Sequence, residues 1–569
     1  MLTASLLLAA LTSSAVAQVA TAPVSATAAQ PSSAVEPADF DVPDALLQLG
    51  VNVSAIPPLA TAADTDSAGA TSKRSSTGKP SSPCSLACDG LAILYGSNYV
   101  LANGTSTYSA FIGAYWSQNQ AEVHPYCVFK PKTTADVSIA VLVNRLTGCP
   151  FAAKSGGHSA YRGAANVPSG MTISFANLNN IQLSADKSTV AVGPGNVWGQ
   201  VYAYLDAYDL TVIGGRLYDI GVGGLTTGGG ISYISNLHGW ACDNVESYDL
   251  VLASGVLVRA SATEYSDLFW ALRGGGNNFG LVVNFNLQTY PLTDNGALYI
   301  GARTYLETEF DAVDQAFYNL IVNSADDPNA GAYVVYVTTG GSNICAPTFY
   351  YADAANGATA AIWDEFEAIP NVGDTTGIHN IVTWAAEIAN DSPPGLREMY
   401  YTMSFKADLD TLVFARSYFF ETVGNVTNIP GIVPNIVFQG ITTPELQQFS
   451  RNGGNALGLT ESDGPMFILL VAAMWDNASD DAAVAAFASD VLTQVKAHAT
   501  ARGVQIDYVY MNYASMYQDV LSSYGPEVLA RLRKVSKKYD PAQIYQTLQP
   551  GYFKLSGEPP VPNSGFYNY

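Results

Sequence analysis

Three glycine-dense segments constrain this chain more than any other feature: KSGGHSAYRG (154–163), GGRLYDIGVGGLTTGGG (214–230) and LRGGGNNFG (272–280). Glycine loses more backbone entropy on folding than any other residue, so dense use inside an ordered domain needs a reason. Tight turns at sheet corners are one. Close approach of backbone to a ligand is another, because successive N–H groups in tight turns form a concavity suited to a pyrophosphate. One cluster alone favours turns. Three, two of them directly after expected strands, favour a phosphate-bearing cofactor. No G-x-G-x-x-G opens a helix with an acidic residue in the expected place, and no GK[ST] occurs, so neither a Rossmann fingerprint nor a Walker A loop is present.

Of the 569 residues, 48% are hydrophobic and 13% charged, which suits large buried cores. The net charge of −23 argues against nucleic acid and against an anionic membrane surface as partners. Residues 1–17 read as a secretory signal peptide, with a short apolar run from Leu6 to Leu11 and an A-x-A site at Ala15-Val16-Ala17. That run is too short to span ~30 Å of hydrocarbon, and no later segment has 18 uninterrupted apolar residues, so no transmembrane helix is expected. The expected location is extracellular. Sequons at Asn52, Asn103, Asn390, Asn425 and Asn477 agree with export and mark expected glycosylation. Cys84, Cys88, Cys127, Cys149, Cys242 and Cys345 permit disulfides in that compartment, but sequence does not choose the pairing. Scattered histidines and the lone Cys84-x3-Cys88 give no metal site.

Residues 18–80, rich in Ala, Ser, Thr and Pro, read as a low-complexity linker or pro-segment, with Lys73-Arg74 a dibasic pair inside it. An ordered α+β domain is expected over 81–295, with its core at 124–294. Thr133–Gly148 predicts a capped helix, IQLSADKSTVAVGPG and YDLVLASGVLVRAS predict hairpins, and Asn196 is expected to cap a helix. Residues 296–510 alternate expected strands (AYVVYVTTG, MFILLVAAMW) with long helices, a second α+β domain on a sheet. PEVLARLRKVSKKYDP predicts an amphipathic helix near the end.

SGGHS at 155–159 resembles the covalent-histidine loop of FAD-linked oxidases of the vanillyl-alcohol-oxidase/PCMH superfamily, in its berberine-bridge-enzyme-like branch. GVGGLTTGGG with HGWACDNVESYDLVLASG, then WALRGGGNNFGLVVNF, then Asn512-Tyr513 and YDPAQIYQTLQPGYFKL, resemble that branch's further motifs in the same order. The likeness spans residues 84–555 and is nearest to ascomycete secreted members. It implies a two-domain α+β architecture: an FAD domain from 81–295 and the returning 511–569, and a central substrate domain with an antiparallel sheet.

The resemblance further implies FAD bound covalently through His158. Ser155, Gly156, Gly157 and Ser159 are then expected at the pyrophosphate, Gly223, Gly224, Gly228 and Gly229 along the flavin, and Asp243 and Asn244 near flavin or substrate. Many relatives hold a second bond from a cysteine where this chain has Leu217, so one attachment is expected, and the open carbohydrate cleft of doubly tethered members is put in doubt. Tyr513 matches the branch's tyrosine base, with Tyr510 as its neighbour. The implied activity is that of an FAD-linked oxidase: hydride passes from an alcohol or C–H substrate to flavin N5, and O2 reoxidises the flavin to give H2O2. The substrate is expected to be a small molecule, a secondary metabolite, with an oligosaccharide or alcohol as the alternative, acted on by a monomer. From another class, a non-catalytic binding protein on a decayed scaffold is the competing possibility.

Overall fold

The computed structural model describes residues 34–67, 82–292, 296–557 and 559–560. The expected signal peptide and Lys73-Arg74 lie outside them.

The helix Thr134–Thr147 shows how local sequence sets an element. Thr133 caps it, Asp136 returns the bond to the Thr133 N–H, and Gly148 ends it at φ 71°. The helix packs beside a small sheet in which Cys127–Phe129, Met171–Ser174 and Phe151–Lys154 run parallel, with Val100–Ala102 antiparallel at the edge. An antiparallel sheet follows, in the order Ile181–Leu183, Thr189–Val192, Leu281–Pro291, Val245–Val251, Leu257–Ser261, with Leu210–Val212 also on Leu281–Pro291. Both expected hairpins are in it. Asn196 is not a helix cap: Val197 holds that position, and the Asn196 amide donates to the Gly193 and Asn180 carbonyls instead.

A nine-stranded antiparallel sheet begins at Ala297 and ends at Ile506. Helices Phe310–Val322, Leu409–Thr422 and Asp481–Arg502 cover one of its faces. The chain then returns to the first domain. Leu532, Val535 and Tyr539 of the helix Pro526–Tyr539 join the N-terminal core, the Tyr545 hydroxyl donates to the Val251 carbonyl, and the Phe151 N–H to the Leu548 carbonyl.

Residues 34–67 correct the linker expectation. Helices Val42–Gln48 and Pro57–Ser67 pack on the helices Pro83–Tyr95 and Thr134–Thr147. Leu46, Val51, Val53, Ile56 and Leu59 are buried there, and Glu36 forms a two-pronged ion pair with Arg145 at 2.6 and 2.8 Å. Five well-spaced apolar side chains suffice to fold a segment whose overall composition is bland. Two disulfides fasten the next helix: Cys84 and Cys88, one turn apart, reach Cys149 and Cys127. Cys242 and Cys345 are free thiols, both buried. Among the described residues no helix is long and apolar enough to cross a membrane, and no group of three His, Cys, Asp or Glu side chains is placed to hold a metal ion.

Leu59 is fully buried, and its side chain lies where a Cβ on Gly90 would stand. Leu59→Ala is expected to cost ~2–5 kcal/mol of stability. Chemical denaturation checks this; parental stability would mean that the segment contributes no packing.

Candidate active site

The large sheet has two faces because successive side chains of a strand point to opposite sides. Val334, Tyr336, Ile436, Phe438, Leu469 and Val471 face the helices. Their neighbours Tyr333, Val335, Val437, Leu470 and Tyr400 line a cavity of about 450 Å³. Val335 pairs with Val437, and Val437 with Leu470, so these three form an aliphatic row across adjacent strands.

The opposite wall comes from the glycine segments. Gly156 and Gly221 cross backbone to backbone: a Cβ on Gly156 would lie 2.5 Å from the Gly221 nitrogen, and one on Gly221 would lie 2.2 Å from the Gly156 nitrogen. Ser155 fastens the crossing. Its hydroxyl donates to the Pro194 carbonyl (2.6 Å) and accepts from the Gly223 N–H (3.1 Å). That donor is therefore spent on the protein and not left for a phosphate, which corrects the expected role of its side chain. Gly157 sits at φ +80° against Tyr115 and Lys154. Burial pushes the Lys154 pKa down to about 8, and its ammonium donates to the Gly156 carbonyl.

Ser155, Gly156, Gly157, His158, Ser159, Gly223, Gly224 and Tyr513 all line the cavity. Four expected residues do not. Gly228 and Gly229 lie behind the wall, where a Cβ would strike the Asn512 carboxamide and the Trp240 ring. Asp243 is fully buried and takes the Arg273 guanidinium at 3.3 Å, the Asn455 amide and the Trp240 N–H. Asn244 binds the His238 and Trp240 carbonyls and accepts from the Tyr290 hydroxyl. These two brace a turn; their place beside a flavin motif in the sequence does not carry them to the cavity.

The His158 ring is stacked on Trp116, with centroids 4.1 Å apart and planes 14° off parallel. At the other end, Arg216 donates to the Tyr513 hydroxyl oxygen and to the Gln439 carboxamide at 2.6 Å, and its guanidinium lies 4.5 Å over the Tyr333 ring. Burial opposes the Arg216 charge, yet the oxygens of Tyr513, Tyr333 and Tyr350 hold its pKa above the ordinary value, so it stays a cation. Tyr510 stands beside Tyr513, but its oxygen takes the Gly230 N–H and the Asn512 amide, and burial pushes its pKa far up. It is a brace. Sequence reasoning missed Arg216, Gln439 and Trp116. Arg216 had one signal, a lone cation inside a glycine segment; the other two had none.

This site suits a large, partly polar ligand. Bare glycine backbone forms one wall, and His158 Nε2 and Gln549 Oε1 are buried without hydrogen-bond partners. Residues 125–261 match the family described as an FAD binding domain. The chain is 33% identical to an FAD-dependent monooxygenase of Cochliobolus heterostrophus over 83% of its own length and 94% of the relative's. It is 34% identical to one of Fusarium proliferatum over 78% and 87%. The fold is shared with 6-hydroxy-D-nicotine oxidase from Arthrobacter nicotinovorans (TM-score 0.67, 19% identity, 80% of this chain, 97% of that one). It is shared also with berberine bridge enzyme from Eschscholzia californica (0.66, 16%, 84%, 99%).

The chain belongs to the FAD-dependent oxidoreductases of which these fungal relatives are members.

FAD fits the residues present. The loops 155–159 and 221–224, with Gly276, Asn277, Gln549 and Tyr552 from the third segment and the closing motif, are the groups that would hold it. Gly221→Ala, which sets a Cβ against backbone, is expected to part the two loops and lower the flavin content of the purified protein several-fold. The ratio of flavin to protein absorbance measures this; an unchanged ratio would mean that the crossing does not shape the flavin site.

Proposed function

We propose that this enzyme is a secreted FAD-linked oxidase that carries its flavin on His158 and oxidises a small, largely apolar secondary metabolite bearing a hydroxyl group. The observation that carries the proposal is the Arg216–Tyr513 pair beside the aliphatic row. Gln439, which Arg216 also holds, lies two residues along the strand from Val437, so about 7 Å separates that polar group from the middle of the row. A molecule fitting both has one reactive oxygen and an apolar body.

Bound FAD supplies a hydride acceptor at N5, and dioxygen then takes the two electrons to give hydrogen peroxide. The Tyr513 oxygen receives the substrate's hydroxyl proton. Arg216 donates to that oxygen and holds it in place toward the cavity. Val335, Val437 and Leu470 shield the reacting face from water. They offer nothing to a sugar's hydroxyl groups, which favours the metabolite over the oligosaccharide alternative, as does Leu217 in the cavity wall. The xylooligosaccharide oxidase of Myceliophthora thermophila shares the fold at 21% identity (TM-score 0.64, 82% of this chain, 98% of that one), which speaks to the fold alone. Secretion is supported by five exposed sequon asparagines and two disulfides.

A second possibility comes from the activity for which the fungal relatives are named, monooxygenation. Turnover under oxygen-18 separates the two. One peroxide per product with no label in the product is expected; label in the product would favour oxygen insertion. Tyr513→Phe keeps the ring and removes the oxygen. It is expected to slow anaerobic flavin reduction by ~10²–10⁴ with little change in flavin content. A parental rate of reduction would make Tyr513 a packing residue.

A further inference from the structure

His158, in the cavity wall, faces a partner that the proposed reaction does not use. His158 Nε2 faces Asp219 Oδ1 at 3.4 Å. Both atoms are buried and neither makes a hydrogen bond, although the Asp219 side chain as a whole is 43% exposed. A buried carboxylate oxygen and a buried imidazole nitrogen do not stay unpaired without cost, and a shift of a few tenths of an ångström closes the bond.

The backbone around Asp219 is held from several sides. The Trp198 N–H donates to the Ile220 carbonyl (3.0 Å), the Gly199 N–H to the Tyr218 carbonyl (2.9 Å), the Tyr218 N–H to the Ala385 carbonyl (3.1 Å), and the Val222 N–H to the Asn196 carbonyl (3.1 Å). Gly199 leaves room for the Tyr218 ring, since a Cβ there would lie 1.9 Å from it. The imidazole is held from its own side by the Trp116 stack. A carboxylate on a held backbone beside a stacked imidazole makes an orienting pair, because a carboxylate beside one ring nitrogen keeps the proton on that nitrogen.

We propose that Asp219 is the positioning residue for flavin attachment: it holds the His158 proton on Nε2, so that Nδ1 is the nitrogen that bonds the flavin. This rests on the covalent attachment proposed above and adds its chemistry. His158 Nδ1 makes no hydrogen bond among the described residues, so its lone pair is free. Attachment forms a bond from Nδ1 to the flavin methyl carbon and breaks one methyl C–H bond. The methyl proton leaves to solvent, and the electron pair of that bond reduces the ring. The bonded imidazole is then cationic, and its Nε2 proton passes to Asp219. Dioxygen takes the two electrons with two protons and leaves as hydrogen peroxide. The net change is one hydrogen from the methyl group and one from the imidazole, both found in the peroxide. Trp116 keeps the ring plane fixed during attack.

The test uses the full chain as purified, in parental, Asp219→Asn, Asp219→Ala and His158→Ala forms. Total flavin, acid-stable flavin and melting temperature are measured for each, and the flavin-bearing peptide is examined by NMR to identify the linked nitrogen. The expected result is parental acid-stable flavin linked through Nδ1. Asp219→Ala should keep total flavin within about twofold, while its acid-stable share falls at least ~10-fold, because losing a group that accepts a proton slows such steps by ~10² or more. Asp219→Asn should lie between, since its amide oxygen still accepts from Nε2 but carries no charge. A purely structural role would instead lower total flavin and melting temperature together. An Nε2 linkage, or a parental acid-stable share in Asp219→Ala, overturns the role of Asp219 while leaving attachment at His158 intact. Parental protein that releases all its flavin in acid overturns the attachment itself, and this role with it.

Discussion

The active site depends on one contact, the backbone crossing of Gly156 and Gly221. Each residue stands where any side chain on the other would strike main-chain atoms. Two loops far apart in sequence therefore meet at backbone distance, and their side chains fan out from a common point. His158 and Ser159 leave on one strand of the crossing, Asp219, Leu217 and Arg216 on the other. The Ser155 hydroxyl, bonded to the Pro194 carbonyl and the Gly223 N–H, prevents the loops from sliding. The entropy cost of dense glycine is offset here by a geometry no other residue permits.

The second constraint is the parity of the nine-stranded sheet. Its helix-covered face is a continuous apolar core, so the register is set by burial, and a one-residue slip would turn that core into the cavity. Parity therefore fixes which residues line the cavity, Tyr333, Val335, Val437 and Leu470, and puts Gln439 on the same face as Val437. The polar member, Gln439, is tolerated because Arg216 satisfies its carboxamide. Arg216 in turn stays charged in a buried place because phenol oxygens and a ring face surround it.

Much of this was legible in the sequence where local chemistry decides structure. Thr133, Asp136 and Gly148 define a helix by themselves, the hairpins follow from alternation and turn residues, and the strand MFILLVAAMW is buried on nearly all its length. The segment 34–67 was not legible, because Leu46, Val51, Val53, Ile56 and Leu59 are diluted by Ala, Thr and Pro, and their value appears only against the helix Thr134–Thr147. Asp243 and Asn244 misled for the opposite reason. They adjoin a flavin motif in the chain, but the helical turn Ala241–Asn244 aims them at Arg273, the His238 carbonyl and Tyr290. Arg216 meets Tyr513 and Gln439 across separations of 297 and 223 residues, which no local pattern encodes.

Leu217 ties these points together. A cysteine in its place would tether the loop 214–230 to the flavin and set its distance by a covalent bond. Here the loop needs no such bond, because the Gly156 crossing, the Trp198, Gly199 and Val222 N–H donors and the Ala385 carbonyl already hold it. The position is thereby free to be apolar, and leucine adds to the cavity wall between Arg216 and Asp219. Four consecutive positions thus divide the work of the site: Arg216 holds the Tyr513 oxygen, Leu217 supplies apolar wall, Tyr218 fills the space left by Gly199, and Asp219 faces His158. A loop so loaded must be rigid in its backbone, and that rigidity comes from the contacts around it and not from its own glycine-rich sequence.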